Sequence, residues 1–311
     1  MRNRNILRVN IPKELKVKPM NNLTPVDWER VGRNNRQNGS FQTKENGFID
    51  FGHVINLKSL PQPNDVYEWL SEKRVCIIFH IYYNDLISEI VNRLDSLQFK
   101  FDLIIVSPTN SPFSSSNLKH NFNRFNPTFL ACPNIGKDIG GKLISIRHIL
   151  DKNLNYDYLI FAHDKKSKHA NESVGVKWRR DLYNGIFLES NVRLIINGFM
   201  MNSRIKLSGG RVRQGIVNSR AIAVHTGNTQ FIEKLSTDVF KIQKQENTAF
   251  VGGTMFWLDW NYFKEVLNTI NVNKIIQLLE KGDVREPSYS HAMERLFGIL
   301  VTFKSNKIGS I

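Results

Sequence analysis

The feature that most constrains the fold is a regular alternation of apolar, β-branched segments with amphipathic segments. Four segments predict strands; they span residues 75–83, 101–108, 129–133 and 156–163. The first is too apolar to be half exposed and predicts a central strand covered on both faces. Between the segments, apolar residues recur at helical spacing: Leu86, Ile90, Leu94 and Leu97, then Ile139, Leu143, Ile146 and Leu150. Strands that alternate with helices in this way predict an α/β, Rossmann-like core with a mostly parallel sheet.

The remainder of the chain is less regular. A helix is predicted around 178–188, an apolar strand at 250–258 and a last helix at about 291–301. Residues 1–70 are rich in Asn, Arg and Lys, and their apolar residues show no sustained period. We therefore predict a polar N-terminal extension over residues 1–70 and one functional domain over residues 71–311.

Composition limits the compartment in which the chain works. No run reaches the roughly 18 apolar residues that a membrane span requires, and the charged start does not predict a secretory signal. Cys76 and Cys132 lie in apolar segments and predict buried free thiols in a reducing compartment, rather than a disulfide. We expect the cytoplasm.

The net charge of +15 indicates which classes of partner the protein can attract. Such a field attracts nucleic acid, nucleotide diphosphates or the acidic inner face of a membrane, although it also serves as a solubilising surface. The basic residues are dispersed rather than set in one stripe, and no known nucleic-acid motif is present.

Polar segments follow the predicted strands, where ligands of parallel sheets bind. After the first strand come His80 and Tyr82, and tyrosines there can stack on a base or a sugar. The alternative is that Asp85 in this segment caps the next helix.

A glycine-containing segment opens the helix after the third strand; it includes Asn134, Gly136, Lys137 and Asp138. Glycines there let the backbone approach a ligand, and the free N–H groups of a helix start favour a diphosphate. Lys137 and Lys142 add positive charge. The spacing is neither the Walker motif nor the dinucleotide fingerprint. Asp138 is either a helix cap, a catalytic base or a ribose ligand.

A charged cluster follows the fourth strand: His163, Asp164, Lys165, Lys166 and Ser167. Its lysines suit the charge of a leaving diphosphate, and the alternative is a solvated basic loop. One His and one Asp make an incomplete metal site, so no metal ligand is predicted.

The last predicted helix carries a second polar face, with His291, Glu294 and Arg295 opposite its apolar side. Glu294 could accept a proton from an acceptor hydroxyl and Arg295 could hold phosphate. An ordinary helix-surface ion pair is the alternative.

Together, five segments resemble the rhamnan synthesis protein F family of bacterial polysaccharide glycosyltransferases, in the same order and over about residues 73–300. They are 80–83, 134–138 (similar to the family's Asn-x-Gly-Arg-Asp), 163–167 followed by Trp178, 253–257 and 291–295. The family usually has Thr where Asp164 stands, and residues 1–70 have no recognised counterpart.

The resemblance implies a GT-A-like enzyme, a rhamnosyltransferase-like hexosyltransferase that builds a cell-surface polysaccharide such as O-antigen lipopolysaccharide or capsule. The donor would be a nucleotide-diphosphate sugar such as dTDP-rhamnose, and the acceptor a lipid-linked or growing glycan. The enzyme would be cytoplasmic and peripheral to the anionic inner face of the membrane, with Mg²⁺, Mn²⁺ or no metal equally compatible. Asp138 or Glu294 would be the catalytic base, and the other polar residues named above would bind the donor. Two alternatives remain open: a non-catalytic accessory protein of polysaccharide assembly, and a basic nucleic-acid-binding protein.

Overall fold

The computed structural model describes residues 7–8, 52–109, 115–166, 172–210, 212–216, 227–243, 247–282 and 287–311. By internal contacts the chain divides into two units, Met1–Val9 with Phe51–Ile311, and Asn10–Asp50. The second unit lies outside the described residues, and all elements below belong to the first.

The described strands form one large sheet and one separate pair. In chain order they are β1 (Leu7–Arg8), β2 (Val54–Asn56), β3 (Val75–His80), β4 (Asp102–Pro108), β5 (Thr128–Cys132), β6 (Tyr158–His163), β7 (Ile205–Gly209), β8 (Val212–Ile216), β9 (Asn247–Val251), β10 (Phe256–Asp259) and β11 (Lys307–Ser310). The large sheet has the order β1-β5-β4-β3-β6-β10-β7-β11-β2, and β8 pairs with β9. In the large sheet only β10 runs antiparallel to its neighbours, so the prediction of a mostly parallel sheet is confirmed.

The helices of the described residues connect these strands. They are α1 (Val66–Ser71), α2 (Ile87–Asp95), α3 (Ser115–Phe122), α4 (Lys137–Asp151), α5 (Glu172–Phe187), α6 (Glu189–Met201), α7 (Thr229–Lys234), α8 (Trp260–Asn268), α9 (Val272–Leu278) and α10 (Tyr289–Thr302). Single 3-10 turns occur at Leu57–Ser59, Asn84–Leu86 and Asn123–Phe125, and a π-helical segment at Leu235–Phe240.

Helices cover both faces of the sheet. On one face, Phe79 of β3 packs against Tyr183 and Phe187 of α5. On the other face, Phe161 of β6 packs against Phe297 of α10, with a distance of 5.8 Å between ring centroids. Every residue of β3 and β6 is buried, as their apolar sequences predict. The first four predicted strands and the helices between them are confirmed, with ends shifted by a few residues.

The predicted strand at 250–258 is wrong. This segment contains the end of β9 and most of β10, which belong to different sheets. The chain turns between them, where Gly253 has φ +88° and Thr254 has φ +52°. The apolar residues on both sides of the turn are buried, and the sequence therefore looks like one continuous strand.

Residues 54–70 also differ from the prediction, which placed them in a polar extension. They form β2, a 3-10 turn and the first residues of α1, and Leu57, Val66 and Leu70 are buried in the core. These elements are three, three and six residues long, too short to show a period in the sequence. Leu7 and Arg8 also form a strand of the large sheet, β1. For residues 1–6 and 9–51, which the structure does not describe, the extension stays a prediction.

Candidate active site

Two histidines mark the carboxyl edge of the sheet at which the site lies. His80 ends β3, His163 ends β6, and the two residues are partners in the parallel register. Both are almost fully buried, and burial lowers the pKa of each imidazole, to about 4 for His80. Both are therefore neutral at neutral pH. His80 Nε2 has no hydrogen-bond partner within the described residues.

Asp138 and Lys142, in the first turns of α4, form the centre of the site. The Lys142 ammonium lies 2.5 Å from Asp138 Oδ2, 3.1 Å from Thr254 Oγ1 and 3.3 Å from His163 Nδ1. Thr254 Oγ1 in turn donates to Asp138 Oδ2 at 2.5 Å. The Lys142 side chain is fully buried, whereas the Asp138 side chain keeps 20% exposure. The hydrogen bonds and ion pairs of the Asp138 carboxylate with described residues are made through Oδ2, and Oδ1 accepts none of them.

Opposing effects set the charge of Asp138. Burial raises the pKa of its carboxyl group, but the Lys142 ammonium and the hydrogen bonds from Lys142 and Thr254 hold the pKa well below its usual range. Burial also lowers the pKa of Lys142, and Asp138 opposes that shift. We assign an Asp138 carboxylate paired with a Lys142 ammonium, which donates to the neutral His163.

Glu294, which lies in α10, contacts the same turn that Asp138 contacts. Its Oε1 accepts a hydrogen bond from the Gly253 amide at 2.6 Å, and its Oε2 accepts one from Arg295 Nη1 at 2.6 Å. The Arg295 side chain is buried and lies over the Phe250 ring. Because Gly253 precedes Thr254, the two predicted catalytic carboxylates contact adjacent residues of one turn.

The turn that joins the two carboxylates has a strained backbone. Thr254 is β-branched and has φ +52°, a region that such residues rarely adopt. A conformation of this kind costs on the order of 1–3 kcal/mol and persists only where the surroundings fix it. Here Glu294 holds the amide of Gly253, while Asp138 and Lys142 hold the hydroxyl of Thr254.

Glycines near the start of α4 make close contacts with other parts of the protein. The Gly136 amide donates to the carbonyl oxygen of Glu280 at 2.7 Å, and the Asn134 carbonyl accepts from Gly282 at 3.1 Å. A Cβ atom at Gly141 would lie 2.3 Å from His80 Cδ2, so this glycine lets α4 approach the sheet. The amide of Gly136 itself is therefore taken, and the diphosphate site at the helix start after Gly136 stays a prediction. Lys137, beside it, has φ +54°.

Asp164 is a buried carboxylate that ties two loops together. Its Oδ2 accepts hydrogen bonds from the amides of Tyr82, at 2.6 Å, and Tyr83. Its Oδ1 has no hydrogen-bond partner in the described part of the chain. Burial raises the pKa of Asp164 to about 7, against the effect of the two amides. The rings of Tyr82 and Tyr83 pack edge to face.

The two predicted phosphate-binding lysines make contacts of their own. The Lys165 ammonium lies 4.2 Å from the centroid of the Trp178 ring and forms no ion pair with a described residue. Lys166 pairs with Asp85 and lies over the Tyr83 ring. Asp85 therefore pairs with a lysine instead of capping the next helix. Ser167 lies outside the described residues.

His291 belongs to the start of α10. Ser288 caps this helix by accepting from the His291 amide at 3.2 Å, and Ser288 Oγ lies 2.7 Å from His291 Nδ1. The Arg295 guanidinium donates to the His291 carbonyl oxygen at 2.9 Å. The structure thus links His291 to the site through Arg295.

Two residues of the site were missed by the sequence analysis. Thr254 was not a candidate, and Lys142 was considered only as a source of charge. The i,i+4 spacing of Asp138 and Lys142 on a helix could have indicated their ion pair. The Gly-Gly-Thr sequence could have indicated the turn.

Across the described ranges, no group of three or more His, Cys, Asp or Glu side chains is placed to hold a metal ion. In the same ranges, no helix combines the length and the apolar character that crossing a bilayer demands.

A curated relative aligns with most of this chain. The chain is 20% identical over 255 residues to the uncharacterized protein WxcX of Xanthomonas campestris pv. campestris, an alignment that covers 82% of this chain and 35% of that protein. It therefore spans about a third of the length of the curated relatives that it matches.

Two solved structures show a partial likeness. Glucosyl-3-phosphoglycerate synthase from Mycobacterium tuberculosis is 7% identical, with a TM-score of 0.33 and coverage of 68% of this chain and 65% of that one. S. aureus TarS is 14% identical, with a TM-score of 0.38 and coverage of 77% and 35%. The family model described as rhamnan synthesis protein F matches residues 42–305, most of the chain. The resemblance carried by the five sequence segments is thus confirmed, and the chain belongs to the rhamnan synthesis protein F family.

Proposed function

We propose that this chain is a glycosyltransferase domain with a GT-A-like core, which moves rhamnose or a related sugar from a nucleotide-diphosphate donor to a lipid-linked or growing cell-surface polysaccharide. Membership of a family described by rhamnan synthesis supports a role in polysaccharide synthesis. The proposal concerns the domain seen here, since the chain covers 35% of its curated relatives.

The observation that carries the proposal is that Glu294 and Asp138 contact adjacent residues of one turn, Gly253 and Thr254, beside the carboxyl edge of the sheet. Ligands of open parallel sheets bind at this edge. These residues are distant in sequence, and both belong to segments that resemble the family's motifs. Asp138 is the better candidate for the base, because both oxygens of Glu294 already accept hydrogen bonds whereas Asp138 Oδ1 accepts none from the described residues.

The proposed reaction needs one base and one site of positive charge. An acceptor hydroxyl oxygen attacks the anomeric carbon of the donor, the bond from that carbon to the diphosphate oxygen breaks, and the diphosphate leaves with the electron pair. The hydroxyl proton passes to Asp138. The low pKa of Asp138 keeps it ionised and able to accept a hydrogen bond at neutral pH, although it makes the carboxylate a weaker base.

Lysines after β6 would support the leaving diphosphate. The diphosphate would lie at the helix start after Gly136, and Lys165 and Lys166 are the main candidates for the supporting charge. Lys166 would exchange its contact with Asp85 for a phosphate oxygen. The net charge of +15 would also favour a peripheral position on an anionic membrane, near a lipid-linked acceptor.

A thermal-shift screen against dTDP-, UDP- and GDP-sugars, with and without magnesium, tests the proposal. We expect one class of sugar nucleotide to raise the melting temperature, because a ligand that binds only the folded state stabilises it. If no sugar nucleotide raises the melting temperature and none is bound in calorimetry, the domain is an accessory protein rather than a transferase.

A further inference from the structure

Lys142 has an unusual environment for a lysine. Its side chain is fully buried, and lysines are almost never fully buried unless they are paired. Its ammonium contacts side chains from three separate parts of the site: Asp138 on its own helix, His163 at the end of β6 and Thr254 in the turn before β10. A buried charge that is satisfied in this way fixes the groups around it.

We infer that Lys142 is a positioning residue, which holds the Asp138 carboxylate and the turn at Thr254 in the arrangement that sugar transfer requires. The inference rests on the proposed function, because it assigns Asp138 to the reaction. No role of Lys142 in contacting substrate is implied, since its side chain is not exposed.

The geometry supports positioning of one particular oxygen. Lys142 and Thr254 both contact Oδ2 of Asp138, and His163 Nδ1 lies 3.5 Å from the same oxygen. With Oδ2 fixed by these contacts, the carboxylate cannot rotate freely and Oδ1 keeps a constant direction. Without the ammonium, Oδ2 would lose the one partner that carries a full positive charge.

Several other titratable groups lie near the pair formed by Asp138 and Lys142. The titratable side chains that act on this pair come from β3, β6, the loop after β6 and α10: His80, His163, Asp164, Lys165 and Glu294. The two histidines are neutral, Glu294 is paired with Arg295, and Lys165 lies over Trp178. Lys142 is therefore the cation in hydrogen-bond contact with Asp138.

Replacement of the lysine by methionine tests the inference. In Lys142→Met we expect kcat to fall about 100-fold, as for a misplaced reacting group, with a smaller change in KM for the donor. The acidic limb of the pH–rate profile should also move to higher pH, because loss of the ammonium raises the pKa of Asp138. An acidic limb that stays in place would show that the Lys142 ammonium does not act on the reacting carboxylate, and that result would overturn the inference.

Two further variants show whether the loss of activity in Lys142→Met is caused by unfolding. In Asp138→Asn/Lys142→Met no lone buried charge remains, so the double variant should be more stable than Lys142→Met and no less active than Asp138→Asn alone. Additive losses of activity would contradict the inference. Lys206→Met is the matched control, since it removes another Lys–Asp pair, with Nζ 2.7 Å from Asp259 Oδ2, and should keep kcat and the pH profile.

A readout that needs no activity separates this inference from the proposed function. In ¹³C-aspartate-labelled protein, with Asp138→Asn to assign the resonance, Lys142→Met should raise the pKa of Asp138. An unchanged pKa would overturn the positioning role even if sugar transfer is found. A raised pKa in a protein that transfers no sugar would instead contradict the proposed function alone.

Discussion

Asp138 and Glu294 differ in how their oxygens are used, and this difference is testable residue by residue. Asp138 binds its neighbours through one oxygen and keeps 20% of its side chain exposed, whereas both oxygens of Glu294 are occupied. A carboxylate with a free oxygen can take a proton, while one that is fully bonded holds other groups in place.

We expect Asp138→Asn to lower kcat for sugar transfer by about 100- to 10,000-fold, the usual contribution of a general base. Glu294→Gln should cause a smaller loss, because the amide oxygen can still accept from Gly253. Steady-state kinetics of both variants, with Asp259→Asn as a control in another part of the sheet, provide the measurement. A large loss in Glu294→Gln with an unaffected Asp138→Asn would assign the base to Glu294, and full activity in both would exclude both residues.

Asp164 predicts a dependence of stability on pH. Burial raises its pKa from 3.8 to about 7 in the folded protein, so between these values the folded state holds a proton that the unfolded state has lost. The free energy of unfolding therefore falls as pH rises through this window, by on the order of 1.4 kcal/mol for each pH unit at most. Urea unfolding at about pH 5 and about pH 8 should show a larger decrease for the wild type than for Asp164→Asn. Equal decreases in the two proteins would show that Asp164 is already ionised.

The sequence predicted the kinds of residues at the site better than their contacts. Among the predicted residues, Asp138 Oδ2 lies 3.5 Å from His163 Nδ1, and Glu294 contacts Gly253, next to the Thr254 that contacts Asp138. The hydrogen bond of the Gly136 amide was not predicted, because its partner is the carbonyl of Glu280, which is distant in the sequence. The contacts of Lys142 were not predicted for a similar reason. Its partners Thr254 and His163 come from other elements, and only the fold brings them together.

At the scale of elements, the close approach of α10 to β9 places Glu294. A Cβ atom at Gly298 would lie 1.9 Å from the carbonyl oxygen of Ala249, a backbone atom that cannot move alone. The strands with long buried runs were predictable, because burial on both faces leaves a continuous apolar sequence. The short elements and the turn at Thr254 were not predictable, because each consists of only a few residues and shows no pattern in the sequence.

Gly298→Ala should therefore displace α10 and carry Glu294 away from Gly253. We expect a loss of about 1–3 kcal/mol in the free energy of unfolding, together with lower transfer activity. Gly198→Ala in α6 is the matched control, since its Cβ would meet a movable side-chain atom, Leu57 Cδ2, at 2.6 Å. Thermal unfolding and kinetics of the two variants check this. Full activity in Gly298→Ala would show that the position of α10 does not matter for transfer.

At the scale of the whole molecule, the net charge of +15 predicts attraction to anionic surfaces. The protein should sediment with vesicles that contain phosphatidylglycerol at low salt, should be released at high salt, and should not bind vesicles of phosphatidylcholine. Co-sedimentation at both salt concentrations measures this. Equal binding to the two kinds of vesicle, or binding to neither, would contradict a peripheral position that depends on charge.

The fold class followed from the sequence because the alternation of strands and helices is sustained over residues 75–163. The antiparallel position of β10 between β6 and β7 could not be predicted, since it depends on the turn at Gly253 and Thr254. That same turn unites the two carboxylates, so the least predictable part of the fold is also the part that completes the site.

The central claim is that a sugar nucleotide binds at the carboxyl edge of the sheet, beside Asp138 and the lysines after β6. A structure of the protein with the sugar nucleotide that the thermal-shift screen identifies is the most direct test. We predict that the sugar lies next to Asp138 Oδ1 and the diphosphate next to Lys165. A nucleotide bound at the opposite edge of the sheet, or away from both residues, would contradict the account.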